Sequence, residues 1–237
     1  MNKYPKEQYT LEKLIARAGL REVIKSPWYV AGGACTSVFS GVPVNDLDIY
    51  FASTEDYQSA VNQIMPTLKD DYFATGCAFS FKRNGIRIQY IKKIVGPAPI
   101  ILNQFDFTIC ECAYLPQTKE FIMGWYFLAD LCSRRLRYNI EGKYPIASLW
   151  RMKKYIERGF KLPAIESIKL GLRINNLNID SYKDLKEQLE GIDTLFLKDL
   201  TDILIENGDK KFDLREALAY MEQVLEGKLD VVEEEGI

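Results

Sequence analysis

The chain has 237 residues, of which 47% are hydrophobic and 27% charged, and its formal net charge is −2. These proportions are typical of a globular protein with a sizeable core. The sequence contains no histidine, which excludes Ser-His-Asp and Cys-His catalysis and histidine-ligated metal centres. Any general base must therefore be a carboxylate, a lysine or a perturbed tyrosine.

The sequence shows no pattern of secretion or membrane insertion. No run approaches the ~18 apolar residues that a membrane span needs, and the first residues do not resemble a signal peptide. The five cysteines include no Cys-x-x-Cys pair, so neither a disulfide framework nor a zinc site is indicated. We predict a cytoplasmic protein whose cysteines serve as small core residues.

The first predicted element is a helix over residues 6–25, which ends before Pro27. The β-forming residues 28–30 then run into Gly32 and Gly33. Two glycines allow the backbone to turn sharply and to approach a ligand without a Cβ in the way. This pattern predicts a strand that ends in a tight glycine turn.

A short helix over residues 34–40 follows the glycine turn. The N–H groups of its first turn have no partner inside the helix, so they can bind an anion beside the glycines. The hydroxyl groups of Thr36 and Ser37 add donors at the same place. We therefore predict a phosphate-binding turn.

The next predicted strand, over residues 45–51, carries two aspartates, Asp46 and Asp48. Because they are two residues apart, both side chains project from one face of the strand. Adjacent carboxylates repel each other unless a cation lies between them, and Mg²⁺ prefers oxygen ligands and phosphate. A phosphate cradle followed by this pair predicts a site that handles nucleotides with Mg²⁺ or Mn²⁺.

A helix over residues 54–68 and three short strands come next. The strands are predicted at residues 72–75, 78–82 and 86–91, and Asn84-Gly85 between the last two is a strong hairpin signal. Gly and Pro residues then mark a loop.

A further strand is predicted over residues 105–114, with Asp106 on one face and Glu111 on the other. An aspartate near the start of an apolar strand must be solvated, paired or bound to a metal, because burying a bare carboxylate is costly. Asp106 is therefore a candidate site residue.

The remainder of the chain favours helices. They are predicted at residues 125–138, 145–160, 181–189, 194–206 and 214–225, followed by an acidic tail. Residues 134–161 contain nine lysines and arginines against two glutamates. This basic segment predicts contact with a triphosphate or an RNA backbone, and charges along amphipathic helices are the alternative.

The Gly32-Gly33 turn, the short helix and Asp46-x-Asp48 together resemble the DNA polymerase beta-type nucleotidyltransferase superfamily. The double glycine is most similar to the head domain of CCA-adding enzymes and bacterial poly(A) polymerases, and the similarity covers residues 26–114 best. The resemblance implies a third carboxylate on a neighbouring strand, for which Asp106 fits best; Glu111 and Gln89 are the alternatives. It implies that two metal ions, held by Asp46, Asp48 and Asp106, act in nucleotide transfer.

The segment after Pro145 resembles the neck region of CCA-adding enzymes, so Arg151 and Lys154 match its two basic residues. The resemblance adds these two to the nucleotide-binding residues Gly32, Gly33, Thr36 and Ser37. Two positions depart from the pattern: Ser148 replaces the aspartate that reads the incoming base, and residues 34–37 lack an Arg-Asp pair. Base specificity is therefore not implied.

We predict an α+β protein with a nucleotidyltransferase-type mixed β-sheet and flanking helices, followed by an α-helical C-terminal region. The predicted division is a catalytic domain over residues 1–118 and a helical domain over 119–237. The predicted activity is metal-dependent transfer of a nucleoside monophosphate from a triphosphate such as ATP to a hydroxyl, with RNA (tRNA or an RNA 3′ end) as the favoured acceptor. The alternatives are modification of a protein or small molecule, and a catalytically silent nucleotide-binding module.

Overall fold

The computed structural model describes residues 3–68, 71–189, 192, 198–208 and 210–234. Within them, the strands are β1 Trp28–Ala31, β2 Asp46–Phe51, β3 Tyr72–Ala74, β4 Ala78–Arg83, β5 Ile86–Ile91, β6 Cys112–Leu115 and β7 Glu120–Met123. They form one sheet in the order β3-β4-β5-β2-β1-β6-β7. β2, which carries the two aspartates, therefore lies in the middle of the sheet.

The helices of the described residues flank the sheet or follow it. They are α1 Pro5–Arg17, α2 Leu20–Val23, α3 Gly33–Ser40, α4 Thr54–Ile64, α5 Ala98–Leu102, α6 Phe127–Cys132, α7 Pro145–Glu157, α8 Ala164–Asn175, α9 Tyr182–Leu189, α10 Lys198–Glu206 and α11 Leu214–Glu234. Among these helices, none combines the length and the apolar character that crossing a membrane requires.

The sheet is mixed because β2 and β5 run parallel, whereas the other neighbouring strands are antiparallel. β4 and β5 form a hairpin across Asn84 and Gly85, which both have positive φ (50° and 79°). This is the two-residue turn that an Asn-Gly pair favours, because its twist matches that of the strands. The predicted hairpin is confirmed.

One face of the sheet is buried under α1, α2, α3 and α4. Leu47, Ile49 and Phe51 of β2 alternate with the aspartates and join this core, in which Leu11 and Ile15 of α1 are fully buried. Because successive strand residues point to opposite faces, the aspartates lie on the other face. The main core thus fixes which way the carboxylates point.

The other face of the sheet has a smaller apolar cover. Tyr29 and Tyr50 stack with ring centroids 5.7 Å apart and pack with Ile101 and Leu102 of α5. The hydroxyl of Tyr29 donates to the carbonyl of Gly96 at 2.7 Å. This cover fills one end of the face and leaves the end that carries Asp46 and Asp48 to polar side chains.

The main core continues into the helical region. Phe127, Tyr155 and Leu170, from α6, α7 and α8, belong to the same cluster as the residues under the sheet. A second cluster joins α7 to α9, α10 and α11 through residues such as Ala147 and Tyr182. The mixed sheet with flanking helices and a helical C-terminal region is confirmed, and the division at 118/119 stays a prediction.

The predicted strand over residues 105–114 is wrong for residues 105–111. The strand comprises only Cys112–Leu115, which pairs with β1 through Ala113 and Tyr114, and Thr108–Cys110 form a 3₁₀ turn. The backbone before this turn forms a hydrogen bond with the segment near residue 139 instead. The N–H of Asn139 donates to the carbonyl of Asp106 at 2.8 Å. Asp106 therefore lies in a loop, because residues more than thirty positions away provide its backbone partners.

Two predictions for the helical region also need correction. The helix predicted over residues 125–138 ends at Cys132, because Arg134 has a φ of 52° that an α-helix does not accommodate. The predicted acidic tail is helical as far as Glu234, as part of α11. The predicted helix start at Thr194 lies outside the described residues.

Glu111 and Gly124 pack closely where β6 begins and β7 ends. The N–H of Gly124 donates to the carbonyl of Glu111 at 2.7 Å. A Cβ at position 124 would lie 2.7 Å from the Cβ of Glu111, closer than nonbonded carbons approach. Only glycine fits there without a backbone shift.

Gly124→Ala should therefore lower the free energy of unfolding by about 2 kcal/mol, the usual cost of overpacking a closely packed site. Gly171→Ala is the matched control, because a Cβ in this part of α8 meets no atom within 4 Å. The control should be neutral or stabilising by about 0.5–1 kcal/mol, since alanine favours a helix over glycine. Urea unfolding of both variants measures the difference, and equal stabilities would contradict the packing argument.

Candidate functional site

The candidate site is built around the carboxylates of Asp46 and Asp48. The Oδ1 atom of Asp48 is buried and has no hydrogen-bond partner within the described part of the chain. Burial and the neighbouring charge of Asp46 raise the pKa of Asp48 to about 7, and Lys154 opposes this rise. An unpartnered carboxylate beside a second carboxylate is a position that a cation stabilises. Asp46 and Asp48 are therefore the residues that could hold a divalent metal ion.

The strand β5 supplies the side chains next to this pair. In the parallel register Arg87 lies beside Asp46, and Gln89 lies beside Asp48. Residues paired in this way point to the same face of the sheet. The carboxylate pair is thus flanked on the β5 side by a guanidinium and an amide.

The glycine turn lies between β1 and α3. Gly32 has a φ of 76°, a conformation that favours glycine, and its N–H donates to the carbonyl of Cys112 at 3.0 Å. A Cβ on Gly33 would meet no atom within 4 Å. The space beside the first turn of α3 is therefore open to a ligand, as the phosphate-binding prediction requires.

The two hydroxyls predicted to bind phosphate differ in what they can donate. Thr36 Oγ1 donates to the carbonyl of Ile109 at 2.6 Å and lies 3.2 Å from that of Gly32. Its single proton is therefore used inside the fold. Both residues line a cavity beside α3, and because the proton of Thr36 is already used, Ser37 is the better placed donor of the two.

That cavity has a volume of about 350 Å³ and lies between α3, the loop before β2 and the end of α7. It is lined by Thr36, Ser37, Ser40, Val42, Pro43, Asn45, Arg134, Tyr155, Arg158 and Phe160. Two arginines beside hydroxyl and amide groups suit a phosphate-bearing ligand. Both arginines belong to the basic segment of the sequence, but only the folded chain shows that they share a cavity with Ser37.

The helix α7 approaches the site with Arg151 and Lys154. The Nε of Arg151 donates to Oδ2 of Asp106 at 2.7 Å, and Lys154 is near enough to Asp48 to act on its pKa. Ser148 is fully buried and donates to the carbonyl of Tyr144 at 3.0 Å. Its hydroxyl is therefore bonded within the helix.

The three predicted aspartates do not form one cluster. In the described residues, no three carboxylate or cysteine side chains lie together in a way that could hold a metal ion. Asp106 is paired with Arg151, so its role as a third ligand stays a prediction and requires that pair to open. Glu111 lies elsewhere: burial and the charge of Asp130 raise its pKa to about 7.

The basic segment, residues 134–161, contains arginines that bind carboxylates inside the fold and other basic residues that do not. Three of its arginines bind carboxylates, in the pairs Arg135–Glu166 (3.2 Å), Arg137–Asp130 (2.7 Å) and Arg151–Asp106 (2.7 Å). Glu166 and Asp130 are buried, and no feature of the sequence distinguishes them from surface acids. These three arginines hold the structure together, so the excess of positive charge open to a ligand is smaller than the sequence suggests.

The order of strands and helices around Asp46 and Asp48 defines a nucleotidyltransferase-type fold. The Thermotoga maritima CCA-adding enzyme complexed with tRNA matches 91% of this chain and 51% of its own, with a TM-score of 0.52 and 16% identity. The Bacillus stearothermophilus CCA-adding enzyme in complex with CTP matches 76% of this chain and 47% of its own, with a TM-score of 0.51 and 16% identity. At this identity the similarity shows the fold.

The chain belongs to the Gabija anti-defense 2 family, whose pattern matches residues 5–134, more than half of its length. It is 32% identical over 215 residues to "Gabija anti-defense 2" of Bacillus phage SPbetaL7. The match covers 89% of this chain and 53% of that protein. The chain thus spans about half the length of the relatives that it matches.

Arg151→Met should lower the free energy of unfolding by about 3 kcal/mol, because it leaves the carboxylate of Asp106 buried and unpaired. Adding Asp106→Asn should restore part of this loss by removing that charge. Lys153→Met is the matched control on the same helix, since its contact with Glu157 is exposed and 4.0 Å long; it should cost less than about 0.5 kcal/mol. Urea unfolding measures all three, and equal losses for the two single variants would exclude a stabilising role for the ion pair.

Proposed function

We propose that the chain is a metal-dependent nucleotidyltransferase. It moves a nucleoside monophosphate from a nucleoside triphosphate to a hydroxyl acceptor and releases pyrophosphate. The observation that carries the proposal is the Asp48 carboxylate, which has an unpartnered, buried oxygen beside Asp46. A group that retains such an oxygen needs a cation or a donor from outside the chain.

The phosphate groups of the nucleotide occupy the cavity beside α3 in this proposal. Asn45, which directly precedes Asp46, lines that cavity together with Ser37, Arg134 and Arg158. The wall of the cavity thus includes the residue that directly precedes the carboxylate pair in the sequence. Arginine forks and hydroxyl groups bind phosphate oxygens through charge-assisted hydrogen bonds, which are about twice as strong as neutral ones.

The reaction then follows from positioning and charge. A bond forms between the acceptor oxygen and the α-phosphorus, the bond to pyrophosphate breaks, and the proton of the acceptor hydroxyl passes to water. A divalent cation held by Asp46 and Asp48 supplies Lewis-acid polarisation of the phosphate oxygens. Arg134 and Arg158, which line the cavity, balance the charge of the departing pyrophosphate.

RNA is the acceptor that we propose. A CCA-adding enzyme of the same fold is solved with tRNA, and Lys154 and Lys161 are exposed on or shortly after α7. Within the described residues these two form no salt bridge, so they remain available to an RNA backbone. Since a curated relative is a phage "Gabija anti-defense 2" protein, we propose that the transfer serves to counter that defence.

Native protein should transfer label from at least one α-³²P nucleoside triphosphate to RNA in an extract of Gabija-bearing cells. Asp48→Asn should lower the rate by at least about 100-fold, as loss of a group that stabilises transition-state charge does, without loss of folding. Asp180→Asn, in an exposed position, is the matched control and should keep the native rate. Label that appears in protein instead of RNA would show that the proposed RNA acceptor is wrong and that the acceptor is a protein. No transfer by folded native protein would overturn the proposed activity.

Arg134→Ala and Arg158→Ala should each weaken binding of a nucleoside triphosphate by about tenfold, since each removes one charge-assisted contact worth about 1.4 kcal/mol. The control is Lys153→Ala, because Lys153 lies on α7, is highly exposed and does not line the cavity. Calorimetric titration with a non-hydrolysable triphosphate gives the affinities. Unchanged affinity in both arginine variants would place the phosphates elsewhere.

A further inference from the structure

The carboxylate pair has an uncharged neighbour on the strand next to it. Gln89 of β5 pairs with Asp48 of β2, and Ser80 of β4 pairs with Gln89. The row of side chains that leads away from Asp48 is therefore an amide followed by a hydroxyl. Neither group carries the negative charge that a hard divalent cation prefers in its ligands.

The charges around the pair are positive as well. Arg87 lies beside Asp46 and is paired across the next strand with Lys82, and Lys154 acts on Asp48 from α7. Asp106 is held by Arg151 at 2.7 Å. Among the described residues, no third carboxylate joins the two aspartates in one cluster, whereas Arg87 and Lys154 supply positive charge nearby.

We infer that Asp46 and Asp48 hold a single divalent cation with the nucleotide, and that Gln89 occupies the position from which a carboxylate would recruit a second. This inference rests on the proposed function and narrows it. Two divalent ions about 3.5–4 Å apart repel each other strongly, and shared carboxylates are what hold such pairs together. With two carboxylates and an amide, the site has ligands for one ion.

The inference also bears on how the acceptor is activated. A hydroxyl that approaches Asp48 from the β5 side meets the Gln89 amide, which is no base at neutral pH. The proton of the acceptor must leave by another route, such as water. Gln89 is therefore a residue that sets the ion content of the site and limits activation of the acceptor.

Electron paramagnetic resonance can count bound Mn²⁺ in the presence of a non-hydrolysable nucleoside triphosphate. With the nucleotide bound, the native chain should hold one Mn²⁺ in total, and a chain with Asp48→Asn should hold that ion more weakly. Gln89→Glu should bind a second ion, with an affinity at least about tenfold above any second-site binding by the native chain, because a carboxylate replaces the amide. Gln58→Glu on α4 adds the same charge at an exposed position and should leave the count at one.

Gln89→Ala tests whether Gln89 is itself a ligand of the first ion, and it does so without introducing a charge. It should keep the single Mn²⁺ with affinity within about threefold of native, since the aspartates are its ligands. A loss of more than about tenfold would make Gln89 a ligand of the first ion and overturn the inference. Two ions in the native chain, or one ion in folded Gln89→Glu, would overturn it and leave the proposed function intact. Native and Asp48→Asn chains that bind Mn²⁺ equally would instead contradict the proposed function.

Discussion

The position of α7 depends on the ion pair between Arg151 and Asp106. Arg151 reaches from the helix into the loop before β6, where the Asp106 carboxylate is mostly buried. The next turn of α7 contributes Tyr155, whose hydroxyl contacts Sγ of Cys110 at 2.9 Å. With the helix fixed in this way, Lys154 lies near Asp48 and Arg158 lines the cavity beside α3. The sheet provides the carboxylates of Asp46 and Asp48, and the Arg151–Asp106 ion pair helps to hold the helix that carries Lys154.

The parts of the fold that depend on neighbouring residues could be predicted from the sequence. The Asn84-Gly85 turn, the glycine turn and the alternation along β2 each carry their own signal. The strand predicted over residues 105–111 was wrong for a physical reason. Their apolar residues alternate as in a strand, but Asp106 forms hydrogen bonds with Asn139 and Arg151. Partners that lie far along the chain override a local pattern.

The site shows the same difference between local and distant information. Asp46 and Asp48 share a face because they are two residues apart, which the sequence reveals directly. The flanking positions of Arg87 and Gln89 depend on the register between β2 and β5, which no single strand specifies. Likewise, the sequence gives the number of basic residues in residues 134–161 but not which of them form ion pairs. Asp130 and Glu166 become partners of arginines only in the folded chain.

The core that runs from the sheet into α8 has a consequence for synthesis of the protein. The strands are complete once β7 has been made, but Tyr155, Phe160 and Leu170 still belong to the cluster that covers them. A nascent chain that has just finished β7 therefore exposes apolar surface and carries an unpaired Asp106, whose partner follows 45 residues later. Domains fold as units when their core residues are available. We therefore expect the sheet to gain its full apolar cover only after α7 and α8 have been synthesised.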